Sequence, residues 1–188
     1  MFKTLLIAAA ILIGAGLAHA QSLSELRGRY TIAPSSEIAF FVGQVGGGGI
    51  RGRFSRFSGA FELHPDDIAR SNVTITLEPA SVATGESRVE NFLRSKAVFD
   101  AAAHPSITFR STSVRPAGPN SAIIEGTLTA RGVTRRETFH ASFAGRQGRD
   151  IAFRVVGEVF RSPYGMDVGT PIYSNIVHFD MMLQGQPI

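Results

Sequence analysis

The sequence predicts an all-β protein, an antiparallel barrel or sandwich of short strands, and three observations predict it. Apolar and polar residues alternate over most of the chain, as in Val177, Phe179 and Met181 against His178 and Asp180. Clusters of Gly, Pro, Asn and Asp punctuate these runs at short intervals. Beyond the N-terminal region, one short stretch has helical spacing. A period of two marks strands with one buried and one wet face. Many such strands joined by tight turns close into a barrel or stack as a sandwich. Closure would remove the sheet edges that an exported protein has to manage.

In chain order, residues 1–20 read as an export leader. Lys3 precedes an apolar run from Leu5 to Leu17, and Ala18-His19-Ala20 offers a signal-peptidase site. The run is shorter than the roughly 20 residues a membrane span needs, and it lacks the charged flanks of an uncleaved anchor. Cleavage after Ala20 leaves residues 21–188 as a single domain expected in the periplasm. Strands are expected over residues 29–32, 37–43, 50–54, 57–63 and 73–78. Residues 87–95 follow Gly85 and place Val89, Phe92 and Leu93 on one helical face. A helix that short has to lean on something, and a barrel mouth or flank is the available surface. Strands resume over 107–110, 122–130, 134–143, 151–161 and 177–183. Turns are expected at 64–67, 116–120, 131–132 and 145–148. The Gly46-Gly47-Gly48-Gly49 run has no Lys-Ser or Lys-Thr after it and leads into a strand, so it reads as a hairpin and not as a phosphate loop.

Composition narrows the classes. There is no cysteine, so neither disulfides nor a lipoprotein thioether is available, and the core alone has to stabilise the domain. No second apolar segment is long enough to cross a membrane, so the mature chain is expected to be soluble, without stable membrane insertion. The formal net charge is +4, and beyond the leader Lys96 is the sole lysine. No dense basic run or recognition helix occurs, which argues against nucleic acid as a partner. An ordinary arginine-bearing surface is the favoured account of this charge, and attraction to anionic headgroups the alternative. Catalytic signatures are missing as well: there is neither a Gly-x-Ser-x-Gly elbow nor a His-Glu-x-x-His helix. His178 and Asp180 share one face of a strand, but two ligands are too few for a metal.

Ordered motifs then add a resemblance. Tyr30-Thr31-Ile32, Ser36 to Phe40, Ile50-Arg51-Gly52-Arg53-Phe54 and Phe57-Ser58-Gly59 come first. Ser81 to Gly85, Phe92-Leu93-Arg94-Ser95, Phe99-Asp100 and His104 to Phe109 follow. Gly126-Thr127-Leu128-Thr129, Arg131-Gly132-Val133-Thr134, Arg161-Ser162 and Tyr164-Gly165-Met166 complete the set. In this order and spacing the chain resembles the YceI-like family of exported lipid-binding proteins. The resemblance implies a lipocalin-like, extended, eight-stranded antiparallel β-barrel with one or two short helices. It implies an elongated apolar cavity for a polyisoprenoid or similar amphiphile, and it allows a homodimer. Where the family often has Asp-x-His-Leu on the helix, this chain has Glu90-Asn91-Phe92-Leu93, and His104 stands where tyrosine is usual.

The expected role is therefore a non-catalytic periplasmic carrier, with no cofactor or metal beyond a bound lipid, isoprenoid in kind. A scavenger of lipophilic antibiotics or fatty amides is the alternative, and a small hydrolase or metal enzyme the more distant one. Fourteen phenylalanines, all but Phe2 beyond the leader, and no tryptophan supply the lining. Phenylalanine carries no polar atom that an empty or filled tunnel would leave unsatisfied. The candidate wall residues are Phe40, Phe54, Phe57, Phe61, Phe109, Phe139 and Phe179. Phe92, Leu93, Phe99 and Met166 are candidates near an opening. For a headgroup the candidates are Arg53, Arg161 and Tyr164, with Arg94 and Ser162 beside them. A dry core packed by the same phenylalanines is the competing reading.

Overall fold

A computed structural model describes residues 26–188; the expected leader and cleavage site, and Gln21 to Glu25, lie outside the described residues. The sheet has eleven segments: β1 (Gly28–Ile32), β2 (Glu37–Gly43), β3 (Gly49–Phe54), β4 (Phe57–Leu63), β5 (Asn72–Leu77), β6 (Val82–Ala83), β7 (Ile107–Gly118), β8 (Ser121–Ala130), β9 (Val133–Gln147), β10 (Asp150–Phe160) and β11 (Ile176–Pro187). Among the described residues one α-helix, α1 (Ser87–Arg94), lies between β6 and β7.

These segments amount to eight strands, because the first three strands are each broken in two. β1 pairs with β4 and β2 with β3 in one continuing hairpin, with Tyr30 opposite Phe61 and Ile38 opposite Phe54. Pro34 sits at the break between β1 and β2, and Pro79 between β5 and β6, where a missing N–H and a fixed φ interrupt the ladder. Each strand then pairs with its sequence neighbour, and β1 also pairs with β11, so that Ile32 faces Gly185. The result is a closed, eight-stranded antiparallel barrel.

The expected turns at 116–120 and 145–148 are present but shorter, at Pro119-Asn120 and Gly148-Arg149, and their extent is the main correction. β7 runs on through Pro116 to Gly118, and β9 runs on to Gln147. Pro116 is tolerated because this half of β7 is laddered to β8 alone; the pairing with β5 ends at Thr74–Arg110. The glycines that read as turn signals partly mark bulges, with register shifts beside Gly118 and near Gly145.

The two barrel ends differ. The end that carries the β4–β5, β7–β8 and β9–β10 connections is filled by aromatic side chains. Tyr30 stacks on Phe61 at 5.2 Å between ring centroids, Phe61 meets Phe153 edge-on at 5.8 Å, and Phe153 meets Phe143 at 5.6 Å. The other end carries α1 and the β2–β3, β8–β9 and β10–β11 connections. There the wall is incomplete in two places. β6 has no partner on its β7 side, and α1 packs there. The ladder between β9 and β10 stops at Phe139–Gly157, short of both strands' ends.

Candidate functional site

Inward side chains of every strand bound a cavity of about 470 Å³ that opens at the α1 end. Its wall is almost wholly apolar. Two files of rings run along it. Phe99, Phe54 and Phe40 are spaced at 5.8 and 5.5 Å, and Phe109, Phe139 and Phe179 at 5.1 and 6.2 Å. Val73, Ile75, Leu77, Leu128 and Leu183 fill in between them.

A chain so rich in phenylalanine keeps an open axis because several rings lie flat against the wall, over glycines. Phe40 faces Gly52 across the β2–β3 ladder, and a Cβ on Gly52 would stand 2.4 Å from the Phe40 ring. Gly157 opposite Phe139 and Gly126 beside Phe109 leave the same kind of room, at 2.4 and 2.5 Å. With side chains at these positions, the rings would have to swing toward the axis.

The mouth is held by polar groups that are already engaged. Arg161 is buried, and its guanidinium donates to four backbone carbonyls of the loop 162–175: Ser174 at 2.8 Å, Val168 at 2.9 Å, Tyr173 at 3.2 Å, and Met166. Burial lowers its pKa from the usual arginine value, with Asp167 opposing the shift. Tyr164 is buried beside it and donates its hydroxyl to Glu137 Oε1 at 2.7 Å. Burial, then the bond to Glu137, raises the phenol pKa well above the tyrosine range. On the far side of the mouth, Glu90 accepts from the N–H groups of Thr84 (2.9 Å) and Gly85 (3.2 Å), which hold its carboxyl below the usual range. Arg94 ties α1 to the carbonyls of Ala80 (2.9 Å) and Val82 (2.7 Å). Every buried side-chain nitrogen or oxygen among the described residues has a hydrogen-bond partner. The cavity wall therefore asks nothing polar of an occupant.

Of the residues singled out from the sequence, Phe40, Phe54, Phe92, Leu93, Phe99, Phe109, Phe139, Tyr164, Met166, Phe179 and Arg161 line this cavity. Phe61 does not: its ring belongs to the packed end with Tyr30 and Phe153. Phe57 is half-buried and borders a shallow groove with Pro34 and Thr76 instead. Arg53 is exposed, on the opposite phase of β3 from Phe54. Arg161, expected as a headgroup contact, is committed to the loop carbonyls, Arg94 to the carbonyls under α1, and Ser162 donates its N–H to Asn175 at 2.9 Å. His178 and Asp180 lie on the outer wall, bonded to Glu158 at 3.0 Å and bidentately to Arg154 at 2.9 and 2.7 Å.

Arg88 was missed by sequence reasoning. It lines the mouth, is exposed, and has no ion-pair or hydrogen-bond partner among the described residues. The signal was present: Arg88 stands four residues before Phe92, and that spacing puts both on one helical face.

The sequence profile of the YceI-like domain matches residues 30–184. A UPF0312 protein of Ectopseudomonas mendocina is 32% identical over 145 residues, covering 76% of this chain and 74% of its own. Among solved structures, Burkholderia cenocepacia BcnA superposes with a TM-score of 0.77 at 24% identity, over 82% of this chain and 99% of its own. A polyisoprenoid binding domain from Saccharophagus degradans, implicated in plant cell wall breakdown, superposes with a TM-score of 0.68 at 15% identity, over 87% of this chain and all of its own.

Proposed function

The chain belongs to the YceI-like family, and from that premise we propose that it is a periplasmic carrier that holds the hydrocarbon tail of a polyisoprenoid or similar amphiphile inside its barrel. The observation that carries this reading is the enclosed cavity of about 470 Å³ with an apolar wall and one open end. Pockets for small ligands run from about 300 to 1,000 Å³. Each tail methylene moved from water into such a wall contributes about 0.8 kcal/mol, so ten carbons supply roughly 8 kcal/mol before ordering and association costs. A binding role also fits the polar groups at the mouth. Arg161 and Tyr164 are spent on holding the loop and wall in place. The binding domain of S. degradans has the same barrel architecture. Residues 1–20 are proposed to direct the protein to the periplasm.

The test is mass spectrometry of lipid extracted from freshly purified protein, run beside an Ala130→Trp variant. Ala130 is buried in the cavity wall, and an indole there would occupy the bore. A long-chain prenyl lipid or comparable amphiphile that co-purifies with the wild type and is depleted in the variant is the expected result. Protein that carries no extractable lipid and takes up none from a panel of prenols, quinones, fatty acids and fatty amides would overturn the reading.

A further inference from the structure

The described residues have six strongly exposed large apolar side chains, and five of them sit at the open end of the barrel. Val45, 75% exposed, tips the β2–β3 hairpin. It donates its N–H to the Ile172 carbonyl at 2.9 Å, which seats it beside Ile172, itself 59% exposed. Phe92, 46% exposed, and Val168 line the mouth from opposite sides, from α1 and from the loop 162–175. Phe160 ends β10 on the outer wall at the same level. The sixth, Ile188, lies beyond β11 at the packed end, where it donates its N–H to the Arg29 carbonyl at 3.0 Å. Exposed apolar side chains scattered at random would not crowd around the mouth of an apolar cavity. Clustering of this kind marks an interaction surface.

The charges around this rim indicate the partner. Arg88 and Arg161 are the two charged residues lining the cavity, and both are cations. Arg88 is exposed one helical turn from Phe92 and unpaired among the described residues, and so is Lys96, just past α1. Of the acids at this end, Glu90 pairs with Arg94, Glu137 accepts from Tyr164 and Glu158 pairs with His178, whereas Glu86, Asp100 and Asp167 have no ion-pair partner among the described residues. Arg135 and Arg136 at the start of β9 are likewise exposed and unpaired among the described residues, so that with Arg88 and Lys96 the unpaired cations outnumber the unpaired acids. Apolar tips interleaved with free cations match the boundary between acyl chains and anionic headgroups.

We propose that the open end docks on a bilayer bearing anionic lipids, with Val45, Ile172, Val168 and Phe92 dipping past the headgroups so that the cavity opens directly into the acyl region. This rests on the carrier reading and adds the route by which a tail enters without crossing water.

The experiment is co-sedimentation of purified full-length protein with vesicles of phosphatidylcholine alone or with 30% phosphatidylglycerol, at low and high salt. It is repeated for Val45→Ser combined with Ile172→Ser, neither of which lines the cavity, so both proteins keep the same N-terminal segment and the same bore. A naphthylamine dye read by fluorescence reports the cavity separately. The expected result is at least tenfold weaker vesicle binding by the double variant with dye uptake unchanged, and weaker binding of the wild type to neutral vesicles and at high salt. Equal sedimentation of the two proteins overturns the proposal. So does a wild type that ignores both vesicle types and instead forms dimers that the double variant cannot form. Loss of dye uptake in the wild type with vesicle binding intact would sink the carrier reading and leave the docking surface standing.

Discussion

Tyr164 reaches across the gap where β9 and β10 part and gives its hydroxyl hydrogen to Glu137 Oε1 at 2.7 Å. The ladder between these strands ends at Phe139–Gly157, so this bond and the packing of the phenol close what backbone pairing leaves open. Tyr164→Phe keeps the ring and removes the donor. Glu137 is then left half-buried without its partner, which costs about 1–3 kcal/mol. Urea unfolding should show that loss, and a cavity-bound dye should leave faster from the variant because the wall beside it is looser. A variant with wild-type stability and dye release would mean that the bond does not hold the wall.

The same pair predicts a response to alkali. Folding raises the Tyr164 pKa above its ordinary value of 10.0, chiefly by burial and then by the bond to Glu137. A raised pKa means that the folded state favours the neutral phenol. The resulting stability is fully present below pH 10 and is lost as pH climbs beyond it, by at most about 1.4 kcal/mol per pH unit. Thermal melts between pH 8 and 11.5 should therefore fall more steeply for wild type than for Tyr164→Phe. Parallel curves would show that other groups govern the alkaline limb.

Gly52 tests why the bore is open. Its three nearest potential clashes are all atoms of the Phe40 ring, the closest 2.4 Å from an added Cβ. Gly52→Ala should drive that ring off the wall and toward the axis. Overpacking of this kind costs about 1–3 kcal/mol, and here the displaced ring also takes up cavity volume. Dye or lipid uptake should fall more than stability does. The double change Gly52→Ala with Phe40→Leu should restore uptake, since the smaller side chain clears the new methyl. Failure of that rescue would place the effect in the β2–β3 backbone.

These details also mark what the sequence made legible. The period of two located every long strand and put Phe40, Phe54, Phe109, Phe139 and Phe179 on the inner phase, because alternation is a local property. Phase does not report depth along the barrel, so it groups Phe61 with them although Phe61 packs the closed end against Tyr30. Nor does phase show that a glycine on the neighbouring strand lets a ring lie flat, since Phe40 and Gly52 meet only through register. Pro116 read as a turn because its tolerance depends on β7 having β8 alone beside it there. Arg161 looked like a headgroup ligand because its engagement is with backbone carbonyls, which no side-chain pattern reveals.

Arg161 gives the last prediction. Its planar fork holds four carbonyls between Met166 and Ser174 at once, fixing the loop that carries Val168, Gly169 and Tyr173 into the mouth. A lysine keeps the charge but offers one compact ammonium on a flexible stem, which cannot span the same set. Even with all three of its N–H donors engaged, the ammonium of Arg161→Lys leaves at least one of the four carbonyls without a donor and weakens the rest, which should cost about 2–4 kcal/mol, within the range for several weakened charge-assisted bonds. The loss should be local before it is global. Hydrogen exchange should quicken over residues 166–174, and proteolysis should begin there, while β7 and β8 on the other side of the barrel keep their protection. If Arg161 served a headgroup instead, the loop would stay protected in the lysine variant and only the affinity for anionic amphiphiles would change.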